Sequence, residues 1–349
     1  MKDFFKDKNV LITGHTGFKG SWLSQILLKW ETNVYGYSLN PPTNPNLFSL
    51  LNLEESMDSI IGDIRDLDKL EDTFNEIEPE IVIHMAAQPL VRKSYEQPVY
   101  TYETNIMGTV NVCECVRNSK SVKSFLNVTT DKVYENKEKQ DGYTEDEKLD
   151  GFDPYSNSKS CSEIVTHGYN NSFFKKLNIA TSTARAGNVI GGGDFSKDRI
   201  IPDCVKSALN HENIIIRNPH SIRPYQHVLE PLNVYLTIVK KQYENINYAD
   251  YYNVGPDDED CITTGELANL FCEKWGNGLK WVNESEANAP YEATFLKLDS
   301  GKVKKTFNWK AKWNIEKAIE KTVEWTKVYA NDEDIIKCTN RQIDEFFEK

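Results

Sequence analysis

Thr13-Gly14-His15-Thr16-Gly17-Phe18-Lys19-Gly20 decides how the chain is read. It follows the β-branched run Val10 to Thr13 and opens into a stretch where Trp22, Leu23, Ile26 and Leu27 fall at helical spacing. In a strand, glycine loop and helix in that order, backbone N–H groups approach a pyrophosphate closely and the positive helix end stabilises its charge. Three glycines alone also fit a plain tight turn; their place between strand one and helix one gives them weight. Gly14, Thr16, Gly17, Phe18 and Gly20 are the expected cofactor contacts of this loop.

Outward from the loop, apolar runs alternate with amphipathic stretches, the rhythm of βαβ units. Strands are expected at Val10 to Thr13, Asn33 to Ser38, Ile81 to Met85, Phe125 to Thr129 and Ile179 to Ala184, with a weaker one at Ser59 to Ile61. The fold class is α/β, a doubly wound parallel Rossmann sheet with a smaller, discontinuous C-terminal substrate-binding lobe. The NAD-binding domain is expected over 1–187 with a return segment at 228–257, and the second lobe over 188–227 and 258–349.

The 349 residues, 39% of them hydrophobic, suffice for a sizeable core, and a formal net charge of −12 disfavours nucleic acid and anionic membranes as partners. No run of about 18 apolar residues is present to span a bilayer. The N-terminus shows no secretory pattern, so a cytoplasmic location is expected. Seven scattered cysteines without C-x-x-C pairs read as reduced thiols, and six histidines without H-E-x-x-H spacing give no support for a metal site.

The second strand ends in Tyr37-Ser38-Leu39-Asn40, without the acidic residue that usually grips a ribose hydroxyl. No Lys or Arg occurs from Trp30 to Ile64 to pair with a 2′-phosphate, so NAD is expected rather than NADP. Asp63 is a candidate for the adenine amino group, with Ile64 against the ring; a solvated loop aspartate is the alternative.

Asp153 followed by Pro154 marks a helix start, which puts Tyr155 and Lys159 one turn apart on one face. A phenol is a poor base at neutral pH, but a neighbouring ammonium and a positive nicotinamide favour phenolate. Y-x-x-x-K alone would be a surface pair; its place before the sixth strand of a nucleotide-binding sheet reverses that reading. The fifth strand runs out through Thr129-Thr130-Asp131-Lys132, at the sheet edge where open α/β folds bind ligands. Thr130 is placed to share a hydroxyl with Tyr155. Asp131 and Lys132 suit an acid and a base, or else form a neutralising ion pair. Arg199, Arg217 and Arg223, with Asn188, are the expected diphosphate contacts, each set against an ordinary surface residue. His84 and Arg185 read as supporting rather than reacting groups.

T-G-x-x-G-x-x-G, His84-Met85-Ala86-Ala87, Asn105 and Y-x-x-x-K together resemble the extended short-chain dehydrogenase/reductases that act on nucleotide sugars. TGHTGFKGSWL (13–23), TTDKVY (129–134), GGGD (191–194) and RPYQHVLEPL (223–232) narrow the likeness to the 4,6-dehydratases of CDP-glucose, with Asp-Lys where dTDP-glucose enzymes carry Asp-Glu. The resemblance implies NAD as cofactor, Ala86 among its contacts and CDP-glucose as substrate. Tyr155, Thr130 and Lys159 would oxidise C4, and Lys132 and Asp131 would eliminate water across C5 and C6. It also implies a homodimer. Phe195 and Tyr225 stand where the likeness leads one to expect Trp, and Tyr291 where it leads one to expect His, which bears on substrate contacts. Another nucleotide-sugar dehydratase, an epimerase, or a silent NAD-binding module are the alternatives.

Overall fold

In the computed structural model, which describes residues 1–139, 141–284 and 295–348, the first half of the chain forms a parallel sheet. Its strands are β1 (Asn9–Thr13), β2 (Asn33–Ser38), β3 (Asp58–Ile61), β4 (Ile81–His84), β5 (Ser124–Val128) and β6 (Ala180–Ala186). A seventh strand, Tyr251–Val254, pairs with β6 through Tyr251 opposite Thr183, giving the order Tyr251–Val254, β6, β5, β4, β1, β2, β3. β4 and β5 each shift by a residue or so from the expected bounds, and β6 runs on to Ala186.

Alternation along each strand builds two cores. Val10, Ile12, Ile81, Ile83, Leu126 and Val128 join the cluster on one face, while Leu11, Val82 and Phe125 join the cluster on the other. β4 and β5 are buried at every residue, as parallel strands covered by helices on both sides must be. Since the strand order reverses beside β1, the crevice for a ligand opens at the carboxyl ends of β1, β4 and β5.

The helix Leu229–Glu244 carries the chain back under the sheet, where Gln242 donates to Phe125 O at 3.0 Å and Ala180 O at 3.2 Å. The smaller core gathers Ile201, Val205, Leu267, Phe271 and Ile319 from the helices Ile200–Leu209, Thr264–Trp275 and Ile315–Ala330. The C-terminal helix Ile335–Phe347 departs from the expected division: Ile335, Ile343 and Phe346 pack into the large-lobe cluster with Trp22 and Leu23. Periodicity identifies which face of that helix is apolar, not which lobe receives it. Among the described residues, no helix is long and apolar enough to cross a membrane.

Candidate active site

The glycine loop is shaped by two close approaches. Gly14 has φ +81°, and a Cβ there would lie 2.8 Å from the Ala86 nitrogen; one on Gly20 would lie 2.2 Å from the Gly14 carbonyl oxygen. Both glycines are thus required by the chain itself. Gly17 differs: a Cβ would meet only the Gly14 oxygen, at an ordinary 3.4 Å, so no crowding within the chain demands glycine where the helix Phe18–Lys29 begins. An open cradle at a helix N-terminus fits the pyrophosphate of a dinucleotide.

The floor of the crevice is a hydrogen-bond chain. Thr13 Oγ1 accepts from the Met85 and Ala86 nitrogens, each at 3.2 Å, so its own proton goes to His84 Nδ1 at 2.7 Å. His84 Nε2 then donates to Thr109 Oγ1 at 3.3 Å. Burial, with the Lys159 charge nearby, lowers the His84 imidazole to about 3, so the ring is a neutral brace between β1, β4 and the helix Gly108–Asn118. Thr16 caps the other side through Ser38 Oγ and Leu39 O, both at 2.9 Å. Ile64 is buried, in line with an apolar wall. Asp63 is neither free nor merely solvated: Arg65 grips its carboxylate through Nε and a terminal nitrogen, the latter at 2.8 Å. An adenine contact from Asp63 has to share that carboxylate with Arg65.

The helix Pro154–Tyr169 starts as read, with Asp153 accepting from the Ser156 nitrogen at 2.9 Å and Pro154 in its first turn. Lys159 is buried and donates to Val128 O at 3.0 Å. Its desolvation brings the ammonium down to about 8, against the charge of Glu163, which raises it. Burial around the hydroxyl pushes Tyr155 up to about 12, opposed by its hydrogen bond with Thr130. A bound cationic ring, with the Lys159 ammonium one turn along the helix, is what favours phenolate.

At the end of β5, Thr130 Oγ1 donates to Asp131 Oδ1 at 2.9 Å, and Lys132 Nζ stands 3.5 Å from the same oxygen. The Lys132 side chain is 27% exposed and the Asp131 side chain 1%. Asp131 Oδ2 is buried with no hydrogen-bond partner. The structure therefore gathers Thr130, Asp131, Lys132, Tyr155 and Lys159 within one corner of the crevice.

The second-lobe residues are less uniform. Asn188 Nδ2 is buried without a partner, a donor awaiting an acceptor. Arg199 pairs with Asp194 at 3.0 Å and Arg217 with Asp198 at 3.5 Å. Arg223 is buried and donates to Ile222 O at 3.1 Å. Tyr291 lies outside the described residues. Phe195 packs on Trp325 and Tyr329, while the Tyr225 hydroxyl lies 3.2 Å from Thr264 Oγ1.

Sequence reasoning missed two charged groups. Lys19, within the glycine loop, is brought down to about 7 by burial, with the charges of Lys159 and Arg199 adding to the effect and Asp131 opposing it, which places its ammonium at this crevice. A lysine flanked by glycine-loop residues was the available signal. Glu163 lies buried beneath the reaction corner, bonded to Thr129.

Compared with known proteins, residues 11–322 match the family model described as GDP-mannose 4,6 dehydratase. The chain belongs to this family. Among its relatives, a protein of Salmonella typhimurium named CDP-glucose 4,6-dehydratase is 46% identical over 351 residues, covering 99% of this chain and 98% of the relative. The GDP-mannose 4,6 dehydratase family fold also recurs in solved structures. The UDP-glucose 4-epimerase of Thermotoga maritima gives a TM-score of 0.80 at 23% identity, covering 92% of this chain and 99% of that one. The dTDP-glucose 4,6-dehydratase of Bacillus anthracis, solved with NAD, gives 0.76 at 21% identity, covering 94% and 99%.

Proposed function

We propose that this chain dehydrates CDP-glucose to CDP-4-dehydro-6-deoxyglucose with NAD held in the glycine-loop crevice. The observation that carries the reading is the Asp131–Lys132 pair beside Thr130 and Tyr155, in a chain 46% identical to a CDP-glucose 4,6-dehydratase. Gly14, Thr16, Gly17, Phe18, Gly20, Ile64, Ala86, Tyr155 and Lys159 would hold the cofactor. When bound, NAD supplies a hydride acceptor for C4 and later the hydride donor for C6, so it is unchanged after each turnover.

The chain's own groups move the protons. Tyr155 takes the C4 hydroxyl proton, its phenolate favoured by the Lys159 ammonium. The C4 ketone acidifies the hydrogen on C5; Lys132 removes it and, after exchange with solvent, returns a proton to C5 as hydride reaches C6. Asp131, whose buried Oδ2 has no other partner, protonates the departing C6 hydroxyl as water. Asn188, Arg199, Arg217 and Arg223 would bind the diphosphate, with Arg199 exchanging Asp194 for a phosphate oxygen.

Exposed Val99 and Met107 lie on the helices after β4, and exposed Ile164 and Phe173 on those after β5, two helical stretches joined by the 2.9 Å bond from Asn105 to Ser158. These exposed apolar side chains support a homodimer, which light scattering at twice the chain mass checks. The expected compartment is the cytosol.

Incubation with CDP-, UDP-, dTDP- and GDP-glucose, followed by mass, tests the reading. Loss of water, fastest for the CDP sugar, is expected. Sugar inversion at constant mass would instead make the chain an epimerase.

A further inference from the structure

The helix that carries Tyr155 and Lys159 is tied to the end of β5 at three successive residues. Val128 O accepts from Lys159 Nζ at 3.0 Å, Thr129 Oγ1 donates to Glu163 Oε1, and Thr130 bonds with Tyr155. Glu163 is the middle tie. It is fully buried, one turn beyond Lys159, and its other oxygen accepts from Thr183 at 2.7 Å, Arg185 at 3.0 Å and His167 at 3.2 Å. Arg185, itself buried on β6, passes on to the Tyr134 hydroxyl at 2.7 Å, and that hydroxyl donates to Asn253 Oδ1 at 2.6 Å on the return strand.

We propose that Glu163 is a positioning residue of the reaction: its carboxylate fixes Thr129 to the helix of Tyr155 and Lys159 and supplies the buried negative charge facing the Lys159 ammonium. The inference rests on the function proposed above. Thr129 precedes Thr130, Asp131 and Lys132, so a shift at Thr129 displaces the acid, the base and the phenol's partner together. A displacement of about 1 Å at a reacting group costs on the order of a hundredfold in rate.

The electrostatic part follows from what surrounds Lys159. Glu163 acts on it from its own helix, where Tyr155 stands one turn before, and the Lys159 charge is felt by His84 on β4 and Lys19 in the glycine loop. His84 is neutral and Lys19, brought down to about 7, is mostly uncharged where Lys159 titrates, so the charge of this set that acts on Lys159 is that of Glu163. Glu163 itself stays ionised: burial raises its pKa, but the Arg185 charge and the bonds from His167, Arg185 and Thr129 more than offset it and hold the carboxyl well below its usual range. With Lys159 standing near 8, activity that needs the ammonium falls as pH rises through that value. Removing the Glu163 charge then moves the fall to lower pH.

The test uses the NAD-loaded chain and CDP-6-deoxyglucose, which can be oxidised at C4 but has no C6 hydroxyl to lose, so reduced nicotinamide accumulates and is read by absorbance across pH. Glu163→Gln is expected to move the alkaline limb down by about one pH unit, the size of shift an opposite charge one turn away produces. Its KM for the sugar should stay within about threefold, because the diphosphate contacts lie in the other lobe. Glu163→Asp keeps the charge and should restore the wild-type limb, even where its rate is lower. If Glu163→Gln unfolds because Arg185 is left buried and unpaired, Glu163→Gln with Arg185→Gln removes both charges and should show the same limb shift. A wild-type limb in all variants that fold, with only rate or thermal midpoint reduced, would overturn the proposal and leave Glu163 as a brace of the sheet. Absence of any reduced nicotinamide in the wild-type chain with this sugar would overturn the proposed function instead, and this inference with it.

Discussion

Lys132→Met is expected to stop water loss while leaving C4 oxidation intact. Removing a positioned general base typically costs about 10²- to 10⁴-fold, and here the loss falls on the elimination alone. Met keeps the length and apolar stem of lysine at a side chain that is 27% exposed, so the fold should be undisturbed. Asp131 loses the cation 3.5 Å away but keeps the 2.9 Å bond from Thr130. The variant should therefore accumulate reduced nicotinamide on CDP-glucose, read by absorbance, with no product lighter by the mass of one water. Water loss at the wild-type rate would remove Lys132 from the mechanism.

Tyr155→Phe should block the cycle one step earlier. The C4 hydroxyl then has no phenolate to take its proton, and neither reduced nicotinamide nor dehydrated product should form, at a cost of about 10²- to 10⁴-fold in kcat. Sugar affinity is expected to change by less than about threefold, because the hydroxyl contributes to the reacting state rather than to diphosphate binding. Wild-type rates fall at both ends of the pH range in this account. At low pH the phenol, whose ionisation depends on the bound cationic ring, keeps its proton, and at high pH Lys159 loses its own near 8. The two variants together divide the cycle: one accumulates reduced nicotinamide, the other forms none. A Tyr155→Phe chain that still reduces NAD at the wild-type rate would show that another group takes the proton.

The parts of this protein set by local constraints could be read from the sequence. The loop from Thr13 to Gly20 was legible because Gly14 turns the chain at φ +81°, Gly20 answers to the Gly14 carbonyl a few residues back, and the apolar helix follows at once. The return strand Tyr251–Val254 was legible as a short apolar run after a helix. β3 gave a weaker signal because it is a four-residue edge strand with no buried residue.

What stayed hidden is polar and buried. The helix Pro154–Tyr169 covers the sheet with Ser156, Ser158, Ser160, Ser162 and Thr166, so it has no apolar stripe, and Glu163 among them looks like a surface residue. Arg185 sits in Ala180–Ala186, where all seven residues are buried. Its burial is possible only because Glu163 meets it from another element, which spacing along one strand cannot reveal. Asp63 is held by Arg65, which lies just past the stretch free of Lys and Arg that ends at Ile64, and adjacency in sequence does not show that the two side chains turn to meet.

The account turns on an amine removing the hydrogen between the carbon that is oxidised and the carbon that is reduced. The most direct measurement is the position of deuterium in product formed from CDP-glucose in deuterium oxide, read by mass and proton NMR. The account predicts one solvent deuterium at C5 and, at C6, the hydrogen that began on C4. Dehydrated product with no solvent deuterium at C5 would contradict it.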